Sequence, residues 1–516
     1  MGAYLDLLMF VALIAAILIG FPVAFSIAGI SIIFAYLGWV TGAMDVSILG
    51  ASGQRIFGLL TNNVLIAIPL FVLMGAILEK SKIAEELLET MARTFGGLRG
   101  GLGISVVLVG ALLAASTGIV GATVIAMGLI ALPAMLRAGY DKSLAAGTVC
   151  TAGTLGQIIP PSTLLIILSD VMSNGFQQAQ YEQGKFSVET LSVGQVFAAA
   201  LVPGLMLVVL YIAYILIRGL VRPNDMPPAL LGDGRPDWQE IMSSIMPPVG
   251  LIIAVLGTIL TGIATPTEAA AVGAVGAVFM AAMKLDSNKQ VLRVGVGLFV
   301  LLALFTLNFP VRLQRNDLTG VDFALGMVYL VLAVGGMASL IYAVWTLIKH
   351  KILQFSLTST LTMTSMIFAT ILAAGMFSLV FVGLGGEDRV AQILSNMPGG
   401  ATGALIFAML MIFVLGFFLD FVEIAVIVLP LVVPGLILLG HDPIMLTILI
   451  AINLQTSFLT PPFGFSLFYL RGAAPKEITT AHIYKGVMPF ILIQAIAVVF
   501  IWLLPQIATA LPSFLF

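Results

Sequence analysis

The residues best placed to do chemistry in this sequence flank two Pro-Pro pairs. The first lies in Gly153-Thr-Leu-Gly-Gln-Ile-Ile-Pro-Pro-Ser162, and the second in Thr460-Pro-Pro-Phe-Gly464, with Thr456 and Ser457 about one turn earlier. Proline removes a backbone donor and interrupts a helix, and Gly153 and Gly156 are expected to loosen the turns before Pro160 and Pro161. Carbonyls freed in this way, joined by serine and threonine hydroxyls, make an oxygen cage suited to a hard monovalent cation. The positive ends of the adjoining half-helices can meet an anion. A plain proline kink is the competing reading of each pair, and their recurrence at matching places in the chain favours the cage.

Two further stretches would supply the opposite wall of each cage. Ala114-Ala-Ser-Thr-Gly-Ile-Val-Gly-Ala-Thr123 is small and hydroxyl-bearing inside an apolar run, which suits the tip of a hairpin of two half-helices. Gly416-Phe-Phe-Leu-Asp-Phe-Val-Glu423 occupies the corresponding place in the second half and carries Asp420 and Glu423. A carboxylate at membrane depth costs about 2.5–3.5 kcal/mol on insertion scales, so it requires a partner, and a bound cation would compensate Asp420. A water-facing hairpin end is the alternative for either carboxylate.

The other polar residues point to less. Thr265-Pro-Thr-Glu268 has the form of a helix start, with Glu268 read as a cap, and Asp170 is expected at the outer end of its helix. Glu79 to Arg99 reads as an amphipathic, surface-lying arm with Ile83, Leu87, Leu88 and Met91 on one face. The single cysteine, Cys150, excludes an intramolecular disulfide. The three histidines, His350, His441 and His482, have no metal-ligand spacing. A net charge of −2 offers no basic field for nucleic acid. No phosphate-binding Gly-Lys loop is present. A membrane-embedded enzyme needs a nucleophile or paired carboxylates from different helices, whereas Asp420 and Glu423 are three residues apart on one segment. The chain is therefore read as a non-enzyme without a cofactor.

The elements that hold these residues must be membrane helices. The 516 residues are 60% hydrophobic and 9% charged, against about 25% charged in soluble domains. Apolar runs of roughly 20 residues recur throughout without period-two alternation, which selects helices over a barrel. Tyr4–Ile19 is expected to be a retained first helix rather than a signal peptide. Pro133, Gly139, Asp141, Pro160 and Pro161 recur 301 residues later as Pro434, Gly440, Asp442, Pro461 and Pro462. Each half thus reads as a long broken segment, a Gly-Asp turn and a Pro-Pro-interrupted helix. If the broken segments near 101–137 and 401–437 are re-entrant, seventeen Lys and Arg fall on one side and five on the other. That bias makes the richer side cytoplasmic, puts both termini in the periplasm, and makes the second unit an inverted copy of the first.

At these residues the sequence resembles the large membrane subunit of the tripartite ATP-independent periplasmic (TRAP) transporters. The matching stretches are Asn63-Val-Leu-Ile-Ala-Ile-Pro-Leu-Phe-Val-Leu-Met-Gly75, Ser116–Thr123, Leu132-Pro-Ala-Met135, Gly156-Gln-Ile-Ile-Pro-Pro-Ser162, Gly262-Ile-Ala-Thr-Pro-Thr-Glu-Ala269, Asp420 and Thr460–Gly464. The resemblance implies a sodium-driven secondary importer of organic acid anions in a bacterial inner membrane. It implies a periplasmic substrate-binding protein and a separate small four-helix membrane subunit as partners, with lipid around them and no nucleic acid. It implies an all-α elevator with two hairpins. Sodium would sit at Ser116, Thr117, Gly118, Gly153, Gly156, Asp420, Thr456, Thr460 and Gly464, and substrate at Thr123, Pro160, Ser162 and Pro461.

The expected domains follow from this architecture. Residues 1–100 form scaffold helices and the arm, and 101–175 the first hairpin and broken helix of the transport domain. Residues 176–285 return to scaffold. Residues 286–351 add two helices beyond the family core, which leaves partner geometry open. Residues 352–400 form a scaffold helix and second arm, 401–471 the second hairpin and broken helix, and 472–516 the C-terminal helix. A stand-alone ion-coupled carboxylate carrier or antiporter of related hairpin fold is the main alternative.

Overall fold

A computed structural model describes residues 4–118, 120–229, 236–286, 288–309 and 320–516, without the side chains of Ser116 and Thr117. The described residues are helical, joined by turns. The first part comprises α1 (Leu5–Ile19), α2 (Val23–Val40), α3 (Ser52–Leu60), α4 (Ala67–Lys80) and α5 (Ile83–Phe95). There follow α6 (Gly101–Thr117), α7 (Val120–Arg137), α8 (Lys142–Thr154), α9 (Thr163–Glu182), α10 (Val193–Val221), α11 (Trp238–Leu260) and α12 (Pro266–Leu285). Two helices, α13 (Lys289–Asn308) and α14 (Gly320–Lys349), precede α15 (Ile352–Gly383), α16 (Gly386–Ser395) and α17 (Gly400–Leu415). The chain ends with α18 (Phe421–Glu423), α19 (Leu429–Leu438), α20 (Pro443–Leu459), α21 (Phe465–Ala473), α22 (Thr480–Leu503) and α23 (Gln506–Leu515). Among the described residues, ten helical segments are long and apolar enough to cross a bilayer.

Polar contacts sort the turns into two ends. At one, Arg389 pairs with the buried Asp6 at 2.5 Å, Thr267 donates to the Asn63 carbonyl, and the amide of Gln178 meets Glu387. At the other, Lys284 pairs with Glu86 at 2.9 Å, Arg93 with Glu240 at 2.5 Å and Lys142 with Glu477 at 3.9 Å. Helix α6 leaves the Glu86 end, and α7 returns to it, where the Tyr140 ring lies against Gly103. Helices α17 and α19 both have their outer ends at the Asp6 end, where the His441 ring bonds the Ala401 carbonyl at 2.9 Å. The two hairpins therefore enter from opposite ends.

The repeated Gly-Asp turns have a local cause. Gly139 and Gly440 adopt φ of 82° and 95°, a left-handed conformation that ends the preceding helix at little steric cost. Asp141 and Asp442 then cap the next helix, accepting from the Leu144 and Met445 amides at 2.9 and 2.8 Å. The helix is interrupted as anticipated at each Pro-Pro pair, where α8 and α20 stop and α9 and α21 begin.

Several expectations change. Gly153 packs rather than loosens its helix, while at Gly156 the α-helix has given way to a 3-10 turn. A Cβ on Gly153 would lie 2.4 Å from Val124 Cγ2, so this glycine lets α8 press against α7, and Gly156 touches Ala114 of α6. Asp170 is not at a helix end, because α9 continues to Glu182; its polar last turns are held by Gln180, which bonds the Glu189 backbone in both directions. The arm α5 does not lie free on a surface. Leu87, Leu88 and Met91 are buried, and Ser105 of α6 donates to the Met91 carbonyl. After α2 comes the short α3, whose Arg55 reaches the Gly375 carbonyl.

Candidate cation and substrate site at the two helix breaks

At the first break, α8 tightens into a 3-10 turn at Leu155–Gln157 before Pro160-Pro161, and α9 starts at Thr163. Everything from Thr151 to Ser162 is buried. Ser162 Oγ donates to the Gln157 carbonyl at 3.0 Å, bracing the loop from inside. The next hydroxyl, Thr163 Oγ1, donates at 2.7 Å to the carbonyl of Gly118 at the tip of the first hairpin. Gly118 ends α6 with φ 60°, and a Cβ there would crowd the Thr163 amide at 3.2 Å. The tip is thus fastened directly over the start of α9. Thr123, two residues past Gly121 on α7, is buried nearby in sequence.

The second break is built from the same parts in a different order. Thr456 Oγ1 donates to the Ile452 carbonyl and Thr460 Oγ1 to the Thr456 carbonyl, both at 2.7 Å. Their protons are used, so the oxygen lone pairs remain to face a cation. Ser457 Oγ donates to the Phe413 carbonyl at 2.7 Å and Asn453 Nδ2 to the Met409 carbonyl at 2.7 Å, tying α20 to α17. At Gly464 a side chain has no room, since its Cβ would sit 2.5 Å from the Phe458 carbonyl oxygen and 3.0 Å from that of Thr460. Thr460 and Pro461 are half-buried while Pro462 and Phe463 are exposed, so this break is more open than the first.

Asp420 has a structural duty that hydropathy reading missed. Its carboxylate accepts from the Phe421 amide at 2.8 Å, and Glu423 reaches back to the Asp420 amide at 3.0 Å, forming a capping box. The signal was the Asp-x-x-Glu spacing itself. A π-helical turn at Ile424–Val428 follows, a distortion common at functional sites. Glu268 makes the same reciprocal cap with Thr265, as its sequence suggested.

The two breaks meet across the molecule. Gln455 Nε2 lies 3.3 Å from Thr154 Oγ1, a pair separated by 301 residues and hence at matching places in the two halves. Both amide atoms of buried Gln157 and the Oε1 of Gln455 have no protein partner among the described residues. Unpaired buried amides of this kind mark space for water or an ion. Neither glutamine was among the sequence-predicted ligands, although each is a polar residue in an apolar run. The side chains of Ser116 and Thr117 lie outside what the structure describes, so their part in the first tip rests on the backbone alone.

Cavities adjoin both hairpins. One of about 600 Å³ at the Asp6 end is lined by Arg55, Asp170, Asn174, Gln178, Glu387 and Val426 of the π turn. Another of about 890 Å³ at the Glu86 end lies between the arm and the first hairpin, with Glu89, Arg93, Pro133 and Arg137 on its walls.

Comparison with known proteins gives this geometry a family. The model for the DctM component of the tripartite ATP-independent periplasmic transporters matches residues 10–507. The C4-dicarboxylate TRAP transporter large permease protein of Vibrio cholerae is 28% identical over 518 residues, covering 98% of this chain and 97% of its own. The ectoine TRAP transporter large permease protein of Halomonas elongata is 26% identical, covering 99% of each. Among solved structures, the YdaH transporter of Alcanivorax borkumensis shares the fold with a TM-score of 0.54 at 14% identity, over 91% of this chain and 89% of that one. The chain is accordingly a multi-pass transport permease, not an enzyme, and it belongs to the DctM family, one component of a three-part periplasmic transporter.

Proposed function

We propose that this chain is a sodium-coupled secondary importer of organic acid anions, handed its substrate by a periplasmic binding protein. The observation that carries this reading is that each hairpin is fastened to a broken helix. Thr163 holds the tip of one that enters from the Glu86 end, and Ser457 holds the other, which enters from the Asp6 end. Opposed tips against opened helices are the arrangement that secondary transporters use for ions and anions at mid-membrane. We read the hairpins as re-entrant and the halves as an inverted repeat. Residues 101–175 and 401–471 then form the mobile transport domain of an elevator, and the remaining helices form its scaffold.

In this account sodium takes the backbone oxygens and hydroxyls around Ser116, Thr117, Gly118, Gly153 and Gly156 at one break. At the other it takes those around Asp420, Thr456, Thr460 and Gly464. Gly153 contributes by letting the walls approach, not by flexing. Substrate is assigned to the space flanked by Thr123, Pro160, Ser162 and Pro461. The C4-dicarboxylate cargo named for the Vibrio cholerae relative supports the acid class. The lysines and arginines concentrate at the Glu86 end, which we take as cytoplasmic, leaving both termini in the periplasm of a bacterial inner membrane. A separate small four-helix subunit completes the membrane part.

Uptake of organic acids into proteoliposomes holding this chain and its small subunit tests the proposal. Import should require both an inward sodium gradient and the binding protein. Sodium-driven uptake without the binding protein would instead identify a stand-alone carrier.

A further inference from the structure

Helix α9 meets its surroundings in two different ways. On one side it is packed without space: a Cβ on Gly175 would stand 2.8 Å from Val433 Cγ1 of α19. At its start, Thr163 grips the tip of the first hairpin. On another side it carries Asp170, Asn174 and Gln178, whose i, i+4, i+8 spacing puts three polar side chains on one face. That face lines the cavity of about 600 Å³, whose other walls include Ser52, Arg55 and Leu59 of α3 and Gly375 of α15. Two hydrogen bonds clip the face to the elements opposite. Asn62 Nδ2, in the turn between α3 and α4, donates to Asp170 Oδ1 at 2.8 Å, and Gln178 Nε2 donates to Glu387 of α16. The Asn62 amide is set by its own turn, since its Oδ1 accepts from the Val64 amide at 3.0 Å. The turn is in turn anchored to the start of α12, where Thr267 Oγ1 donates to the Asn63 carbonyl at 2.6 Å.

Interdigitated apolar packing cannot slide without losing many contacts at once. A side-chain hydrogen bond beside a cavity can be exchanged for solvent at small net cost. The Gly175 side of α9 is therefore bolted to the second hairpin, and the Asp170 side is only clipped. We propose that Asn62 and Asp170 form a latch that holds α9 against the α3–α4 turn in this conformation and opens when the transport domain moves. The inference rests on the proposed elevator function and adds to it the boundary that slides and the contact that holds it. In that movement α9 travels with the hairpins it is packed on, while Asn62 stays with α12 through the Asn63 carbonyl. The Gln178–Glu387 bond lies on the same boundary and parts with it. A hydrogen bond to a charged group is strong enough to bias a conformational equilibrium and weak enough to break in every cycle.

Two measurements on the complete complex test the latch. The first is the distance between spin labels on Gly58→Cys of α3 and Glu182→Cys at the end of α9, both exposed positions in a chain whose Cys150 is buried. Adding Asn62→Ala should shift the distance distribution toward a second separation. The ratio of the two populations should change about ten-fold, as expected for losing a hydrogen bond to a charged group. The same distribution with and without Asn62→Ala would overturn the inference. The second is uptake of succinate and malate into proteoliposomes by Asn62→Cys combined with Asp170→Cys, bridged by a short cleavable thiol cross-linker. Bridging should abolish uptake and cleavage restore it, while each single cysteine variant treated alike keeps its uptake. Undiminished uptake in the bridged protein would show that the pair stays together through the cycle, and would also overturn the latch. Wild-type uptake that needs neither sodium nor the binding protein would overturn the parent function instead, and the label distances would still decide on the latch.

Discussion

Asp420 serves the helix start and, in our account, the cation at once. Its carboxylate caps α18 while Glu423 closes the box from below. Asparagine caps about as well as aspartate but carries no charge. Asp420→Asn should therefore leave the protein folded and assembled in the membrane and reduce sodium-driven uptake to background. Tracer uptake alongside quantitation of assembled complexes checks this, and normal uptake would remove Asp420 from the cation site. The carboxylate was conspicuous in the sequence because charge is rare in an apolar run. Its capping role was equally present in the four-residue spacing but is invisible to a reading by hydropathy. Gln157 and Gln455 were harder still: an amide becomes informative only when burial leaves its two polar atoms unmatched.

At the scale of elements, the glycines separate two kinds of role. Gly139 and Gly440 permit left-handed turns, which the repeated Gly-Asp pairs made legible. Gly153 and Gly147 permit close helix packing, with Gly147 pressed so tightly on Gly486 that a Cβ would lie 2.1 Å from the Gly486 carbonyl oxygen. Which role a glycine plays depends on what lies opposite, and that is long-range information a single sequence does not carry. Gly153→Ala should lower the melting temperature of the purified complex, corresponding to about 1–3 kcal/mol of overpacking. Gly297→Ala on α13, with open space around it, should leave melting unchanged or raise it slightly. Equal melting for both variants would contradict tight packing of α8 on α7. The breaks themselves were readable because Pro-Pro cannot continue a helix. The length of α9 was not, since its last turns are polar and held by Gln180.

For the whole molecule, helices α13 and α14 stand apart from the site. Helices α13 and α14 bury little surface. They join each other through Gly295 and Ser339, whose hydroxyl bonds the Val291 carbonyl, and they rest against α12 and α15. Removing residues 286–351 should preserve sodium-driven uptake in whatever fraction assembles, measured per assembled complex; complete loss with normal assembly would place them within the mechanism. Our reading of opposite entry for the two hairpins rests on charge bias plus the 301-residue repeat, whereas the fastening of each hairpin to its own broken helix, through Thr163 and Ser457, needed coordinates. The central claim is that these fastened breaks bind sodium, and thermal unfolding of the purified chain in sodium against equimolar potassium tests it most directly. A ligand that binds only the folded state at ten times its dissociation constant adds about 1.4 kcal/mol, so melting should rise with sodium in a saturable way and stay flat in potassium. Indistinguishable melting curves in the two salts would contradict the account.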